Sequence, residues 1–355
     1  MPGEDGGDTT WFARQNKFEQ QELRHQVKYK REVLKIADDG RFAKQPEHMY
    51  PHILPDATDL RRVFYAPLAD CVLGYLTQED IQQHTELLNL KSSQAACLNF
   101  LFPLKISTAL ATTVLTTAGI LEAGAIVTGI EFEYTAQEEM KGDKGCTEWL
   151  GEPPGGKRGQ NRTSIDAAIF WNKDGRKCAT LVEWKYTERN FGSCSAFGKA
   201  KKPQKQPCLG GAYEKLCIIT DGKRNHDRNY WRLLAESGID LDKMKAVSGC
   251  PFRGPFYQLM RQFLVASYMR SKLKFNYVDV IDVHFHGNEA LCEMPDELLS
   301  LATASDTTIV GAWNSVLADV PAMREIEVQK LMSAYDASPQ TDPDWRKYIQ
   351  SRYNI

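Results

Sequence analysis

The chain has 355 residues, 42% of them hydrophobic and 25% charged, and a formal net charge of −2. This is the make-up of an ordinary soluble globular protein with a substantial core, and the charge argues against indiscriminate nucleic-acid binding. No apolar run approaches the roughly 20 residues needed to cross a bilayer, and the acidic, glycine-rich start lacks a signal-peptide pattern, so a cytoplasmic protein without membrane contact is expected.

In chain order, residues 11–48 place Trp11, Phe12, Phe18, Leu23, Val27 and Leu34 among many charges and predict an amphipathic helical segment. Pro46, Pro51 and Pro55 then predict a break in regular structure. Thr77 reads as a helix cap, with Asp80 completing an imperfect capping box. A helix is expected from Ser92 to Phe102, ending before Pro103, with Ser92, Ser93 and Gln94 at its cap. Threonine-rich Ile106 to Ile120 is too short to span a membrane. Ile126 to Tyr134 alternates and predicts the first core strand, with Ile130, Phe132 and Tyr134 on one face and Glu131 and Glu133 on the other.

Residues 150–163 form a glycine- and proline-bearing loop. It leads into two strand-like segments, Ser164 to Trp171 and Thr180 to Lys185, joined by a polar turn over Asn172 to Lys177. An irregular basic stretch runs from Phe191 to Cys208, and Tyr213 to Thr220 fits either a strand or a short buried helix. A helix over Pro255 to Arg270 would bury Phe256, Leu259, Met260, Phe263 and Leu264. Tyr277 to Phe285 alternates as a late strand, and an acidic helical segment with breaks near Pro321 and Pro339 closes the chain. The expectation is an α/β protein with a mixed central β-sheet flanked by helices. A helical or irregular extension would occupy 1–90, the core 91–290 and an acidic helical extension 291–355.

Alternation places Glu183 and Lys185 on one strand face, and hairpin pairing can bring Asp166 to it. Two carboxylates and an amine there can hold a divalent ion such as Mg²⁺ (or Mn²⁺) and the water it activates; the bland alternative is a surface ion-pair ladder. Glu133 reads either as part of a solvated strand edge or as a further acidic ligand or proton acceptor beside Asp166. From Lys157 to Arg228 the chain carries sixteen Lys or Arg against seven Asp or Glu, whereas Gly287 to Ile355 carries five against eleven. Basic residues thus gather around the candidate site, where Lys157, Arg158, Arg162, Lys199, Lys201 and Lys202 are candidate phosphate contacts, or the solvated lysines of a loop. Gln258 and Arg261 share a helix face as candidate nucleic-acid contacts, and Arg261 is placed to clamp a phosphate.

Nine cysteines without a secretory signal argue against a disulfide framework. Cys194, Cys208, Cys217 and Cys250 are candidate ligands of a structural Zn²⁺, although no C-x-x-C pair occurs and core thiols are the simpler reading. His284 and His286 share a strand face and read more simply as structural than as ligands.

Asp166 with Glu183-Trp184-Lys185 resembles the active-site signature of the PD-(D/E)XK nuclease superfamily, the restriction-endonuclease-like fold; Ile165 stands where that motif often has proline. The resemblance covers Ile126 to Lys185, about a sixth of the chain. Ser92-Ser93-Gln94, Glu183 to Glu188 and Cys250 to Arg261 resemble bacterial restriction-endonuclease-like proteins. The resemblance implies a nuclease-like core over 91–290, with Asp166, Glu183 and Lys185 catalytic. It implies a metal held by Asp166, Glu183 and the backbone carbonyl of Trp184, with DNA as substrate, RNA remaining open. It implies bacterial defence or DNA processing, with a homodimer or partner proteins, and makes an iron–sulfur cluster a second reading of the four cysteines. Where an end-processing branch carries Q-x-x-x-Y, this chain has Gln258-x-x-x-Gln262. The alternatives are a nucleic-acid-binding module on a nuclease fold that no longer cuts, and a scaffold stabilised by zinc or an iron–sulfur cluster.

Overall fold

The computed structural model describes residues 10–83, 86–137, 145–153, 162–199, 208–210, 218–220, 225–302 and 306–355. Its principal elements are α1 (Lys17–Glu32), the hairpin β1 (Gly40–Phe42) and β2 (Gln45–Tyr50), α2 (Ala66–Gln78), α3 (Ser93–Ile106), α4 (Thr108–Thr117), β3 (Ile126–Tyr134), β4 (Ile165–Lys173), β5 (Arg176–Lys185), the short pair β6 (Ile218–Thr220) and β7 (Asn225–Asp227), α5 (Phe256–Ser271), β8 (Tyr277–His284), β9 (Arg324–Glu327), α6 (Val328–Ala337) and α7 (Pro343–Tyr353).

The central sheet has five strands in the order β3–β4–β5–β8–β9. The first three are antiparallel neighbours, whereas β8 and β9 join parallel to β5. The predicted turn between β4 and β5 tightens to Asp174 and Gly175, with φ of 50° and 73°. Two consecutive left-handed residues are what a two-residue hairpin with the natural strand twist requires. Parallel pairing of β8 needs a crossover, and α5 supplies it across one sheet face. That helix packs Leu259, Met260, Phe263 and Leu264 into a cluster with Ala168, Leu181 and Val280. The opposite face belongs to a second cluster, in which Ile169, Val182, Trp184 and Val283 meet residues of α3, α4, α6 and α7. The sheet is therefore covered on both sides, as parallel strands demand.

Several elements depart from the sequence expectation. Pro46 lies inside β2, where an isolated two-stranded ladder tolerates a missing N–H. Thr77 does not start a helix: α2 ends at Gln78, and the Thr77 hydroxyl donates back to the Leu73 carbonyl. Helix α3 runs through Pro103 to Ile106. A proline there leaves the carbonyl four residues earlier without its helical donor, and Trp345 Nε1 donates to that Asn99 oxygen at 3.0 Å. Ser92 caps the helix as expected, accepting from Ala95 N. Among the described residues no single helix is long and apolar enough to cross a membrane; α3 and α4 pass such a test only together, with a 119° bend between them. The segment after residue 290 supplies β9, so the sheet is completed from outside the span expected for the core.

Candidate active site

Asp166 opens β4 and Glu183 and Lys185 close β5. The β4–β5 ladder ends at Ala167 and Val182. Beyond it, Trp184 N–H donates to Asp166 Oδ2 at 2.8 Å, so the carboxylate replaces a ladder carbonyl. Lys185 Nζ lies 2.7 Å from Glu183 Oε1, and both side chains are buried. Asp166 keeps partial contact with solvent, yet the surrounding protein and the charges of Glu183 and Glu133 push its carboxyl well above the usual range. Burial also raises Glu183, against the pull of Lys185. Burial works to lower Lys185, but the charges of Glu183, Glu188 and Asp166 outweigh it and hold the ammonium above its ordinary value. Lys185 is therefore a cation at neutral pH and no proton acceptor.

Two neighbouring helices complete the constellation. From α5, Gln258 Nε2 donates to Glu183 Oε1 while its own oxygen accepts from Lys185 Nζ at 3.2 Å and from Gly192 N. Gln262, one turn further on, donates to Glu183 Oε2. From α3, Gln94 donates to Glu133 Oε1 at 2.8 Å, and Ser164 donates to Glu133 Oε2 at 2.6 Å. Glu133 is buried, not part of a solvated edge, and has a left-handed backbone with φ of 48°. That conformation turns the end of β3, so Tyr134 packs with the α5-side cluster although Ile130 and Phe132 pack with the other. Asp166 and Glu133 line a small cavity with Gln94, Cys97 and Leu98 of α3.

Asp166 and Glu183 thus sit where burial opposes charge, with Glu133 beside Asp166 and the Lys185 ammonium against Glu183. An oxygen-rich, over-acidic set of this kind suits a hard divalent cation. Glu183 spends part of its acceptor capacity on the two glutamines and Lys185, but a carboxylate offers about four lone-pair sites, which leaves room for an ion. The Trp184 indole is buried against Phe100, with ring centroids 5.2 Å apart.

Other candidates fall elsewhere. Arg261 points into a buried network: its Nε donates to Thr163 Oγ1 at 2.8 Å and lies 3.7 Å from Glu152 Oε1. Glu152 also accepts from Thr163 N and from the Tyr230 hydroxyl at 2.6 Å each. The arginine is therefore neutralised within the fold, and a phosphate would have to displace Glu152. Arg162 donates to Gln137 Oε1 at 2.9 Å. Arg189 is tied to Glu19 of α1, and the Glu188 carboxylate turns back to Tyr186 N. Lys157, Arg158, Lys201, Lys202 and Cys217 lie outside the described residues, as does the side chain of Lys199.

The segments bearing Cys194, Cys208 and Cys250 meet: Cys250 N donates to Cys208 O at 2.7 Å, and Cys194 N to Arg253 O at 3.3 Å. All three are free thiols. His286 pairs with Glu327 and His284 with Asp282. Sequence reading gave Gln94 to a helix cap and noted Gln262 only as the end of Gln258-x-x-x-Gln262, placing neither beside a carboxylate of the site. The i,i+4 spacing of Gln258 and Gln262 was the available signal, since it puts both amides on one helix face.

A mixed sheet flanked by helices, with an acidic pair and a lysine at the ends of adjoining strands, is the arrangement of a restriction-endonuclease-like protein. The chain belongs to the family described as restriction endonuclease associating with ARP, whose model matches residues 22–354. No curated protein and no solved structure shows a significant match.

Proposed function

We propose that this chain is a metal-dependent nuclease that hydrolyses phosphodiester bonds in DNA, with Asp166, Glu183 and Lys185 as its reacting centre. The observation carrying this reading is the convergence of Glu183 and Lys185, 2.7 Å apart and buried, beside a carboxylate whose ionisation the fold opposes. A divalent cation such as Mg²⁺ or Mn²⁺ would supply a Lewis acid for the phosphate and a water of lowered pKa. Asp166, Glu183 and the Trp184 carbonyl would hold it, with Glu133 adding negative charge nearby.

Lys185 stays protonated, so it orients the attacking water and meets the charge that develops on phosphate oxygens. Gln258 and Gln262 fix the Glu183 carboxylate in one orientation. Lys157, Arg158, Lys199, Lys201 and Lys202 are assigned to the phosphate backbone, which positions the duplex without reading its sequence. The setting we assign is cytoplasmic defence or DNA processing, with the association named in the family's description, ARP, as the partner.

The test is purified protein with circular and linear DNA, with and without Mg²⁺ or Mn²⁺. Cutting of the circle only in divalent metal, lost in Asp166→Ala and Glu183→Ala, is the expected result. No cleavage of either form, or cleavage that survives both substitutions, would overturn it; single-stranded RNA as a third substrate separates the two nucleic acids.

A further inference from the structure

The acidic surface of the sheet does not stop at β5. Glu183 pairs in register with Asp282 of β8, and Asp282 with Glu325 of β9. Side chains in register on adjacent strands share a face, so three carboxylates stand side by side across three strands. Like charges in directly paired positions are destabilising. Lys185 is engaged by Glu183 and Gln258, and Arg324 turns to Asp279. Neither accounts for the pair Asp282 and Glu325.

Between those two sits an imidazole. His284 Nδ1 lies 2.5 Å from Asp282 Oδ2. One donor atom from each of Asp282, His284 and Glu325 falls within 4.8 Å of the other two. Asp282 is 1% exposed, and its second oxygen, Oδ1, is buried without a hydrogen-bond partner. A buried carboxylate oxygen left unpaired costs the desolvation of that group, and a cation bound beside it would offset that cost. The thiol of Cys292 borders the group, donating to Glu325 Oε1 at 3.6 Å.

We propose that Asp282, His284 and Glu325 form a second metal site, for zinc, one strand beyond the nuclease centre. The donor chemistry selects the ion. One imidazole with two carboxylates, and a thiol at the margin, suits the borderline Zn²⁺, whereas Mg²⁺ prefers an all-oxygen octahedron. The exposed side of Glu325 gives an ion its way in. Bound zinc would tie β9 to β8 and neutralise the carboxylates next to Glu183. The site stands independently of the nuclease reading, because none of its ligands belongs to the Asp166 cluster.

Zinc binding to the full chain, followed by metal analysis after equilibrium dialysis in excess Mg²⁺, tests this. The expected result is a single zinc per chain in the wild type and equally in Asp166→Asn. Affinity should fall at least about tenfold in Glu325→Gln and in His284→Gln, with circular dichroism unchanged. Glu325→Gln alters an exposed side chain and keeps the backbone pairing, so it decides the matter even where His284→Gln fails to fold. Absence of bound zinc, unaltered affinity in Glu325→Gln, or loss of the zinc in Asp166→Asn would each overturn the assignment. Loss in Asp166→Asn would place the ion at the nuclease centre instead. DNA cleavage is not read, so failure here leaves the nuclease proposal standing.

Discussion

The surroundings of Asp166 disfavour its ionisation, which sets stability against its proposed metal-holding role at a single residue. Its carboxyl is raised by burial and then by Glu183 and Glu133. The unfolded chain would ionise it near the ordinary value of about 4. A raised folded value means the native state holds its proton longer than the unfolded state. The resulting stability is complete below about pH 4 and is lost as pH rises through the folded value. Asp166→Asn should therefore raise the Tm of the metal-free protein by a few degrees at neutral pH, make no difference below about pH 4, and abolish cleavage. Thermal melts at the two pH values check it, and a Tm lowered at neutral pH would show that the charge is already compensated. Lys185 behaves oppositely, since the carboxylates hold it protonated. Lys185→Ala should keep metal and DNA binding but cut single-turnover cleavage by roughly a hundredfold. Loss of metal uptake instead would make the lysine a site organiser rather than a partner of the water.

Helix α5 shows what period alone conveys about an element and what it leaves out. Its apolar repeat marked Phe256, Leu259, Met260, Phe263 and Leu264 as buried, and all five are. The alternation of β3 and β8 was equally legible as strand, and the polar turn between two apolar segments marked β4 and β5. The polar positions of α5 were not legible. That Gln258 and Gln262 both reach Glu183 depends on the parallel crossover that lays α5 over β5, and no local pattern encodes a crossover. The same holds for Pro103: it reads as a helix stop until Trp345, far along the chain, supplies the missing donor. Gln262→Ala would leave Glu183 Oε2 buried without that amide. A loss of about 1–3 kcal/mol in stability is expected, together with a fall in kcat and unchanged DNA affinity, since the amide orients a carboxylate and touches no phosphate. Urea melts beside single-turnover rates measure both. A variant as stable and as fast as wild type would mean Gln258 and Lys185 suffice.

Taken as a whole molecule, the protein supports its site from both ends of the chain. Gln26 of α1 donates to the Tyr186 hydroxyl at 2.7 Å and to the Arg352 carbonyl at 3.0 Å, joining N-terminal and C-terminal helices directly behind Lys185. Arg352 is fully buried, with its guanidinium 5.1 Å from the Tyr29 ring and 4.9 Å from that of Tyr353. Tyr335 of α6 donates to Phe100 O of α3 at 2.6 Å. The hydrogen bonds among these link residues 160 to 326 positions apart, which is why the ends read as extensions in the sequence while the structure uses them to cover the sheet. Removing residues 338–355, which carry α7, would strip Trp345, Ile349 and Tyr353 from the core. A buried Trp or Phe cut to Ala costs about 3–5 kcal/mol by itself, against a net stability of about 5–15 kcal/mol for a typical domain. The truncated chain is therefore expected to lose its cooperative melt and its near-ultraviolet circular dichroism, and cleavage with them. The matching conservative change, Trp345→Phe, keeps most of the packing but leaves the Asn99 carbonyl without a donor, so it should lower Tm while keeping the transition cooperative. A truncated protein that still melts cooperatively and cuts DNA would show that the C-terminal helix only decorates a core that folds alone.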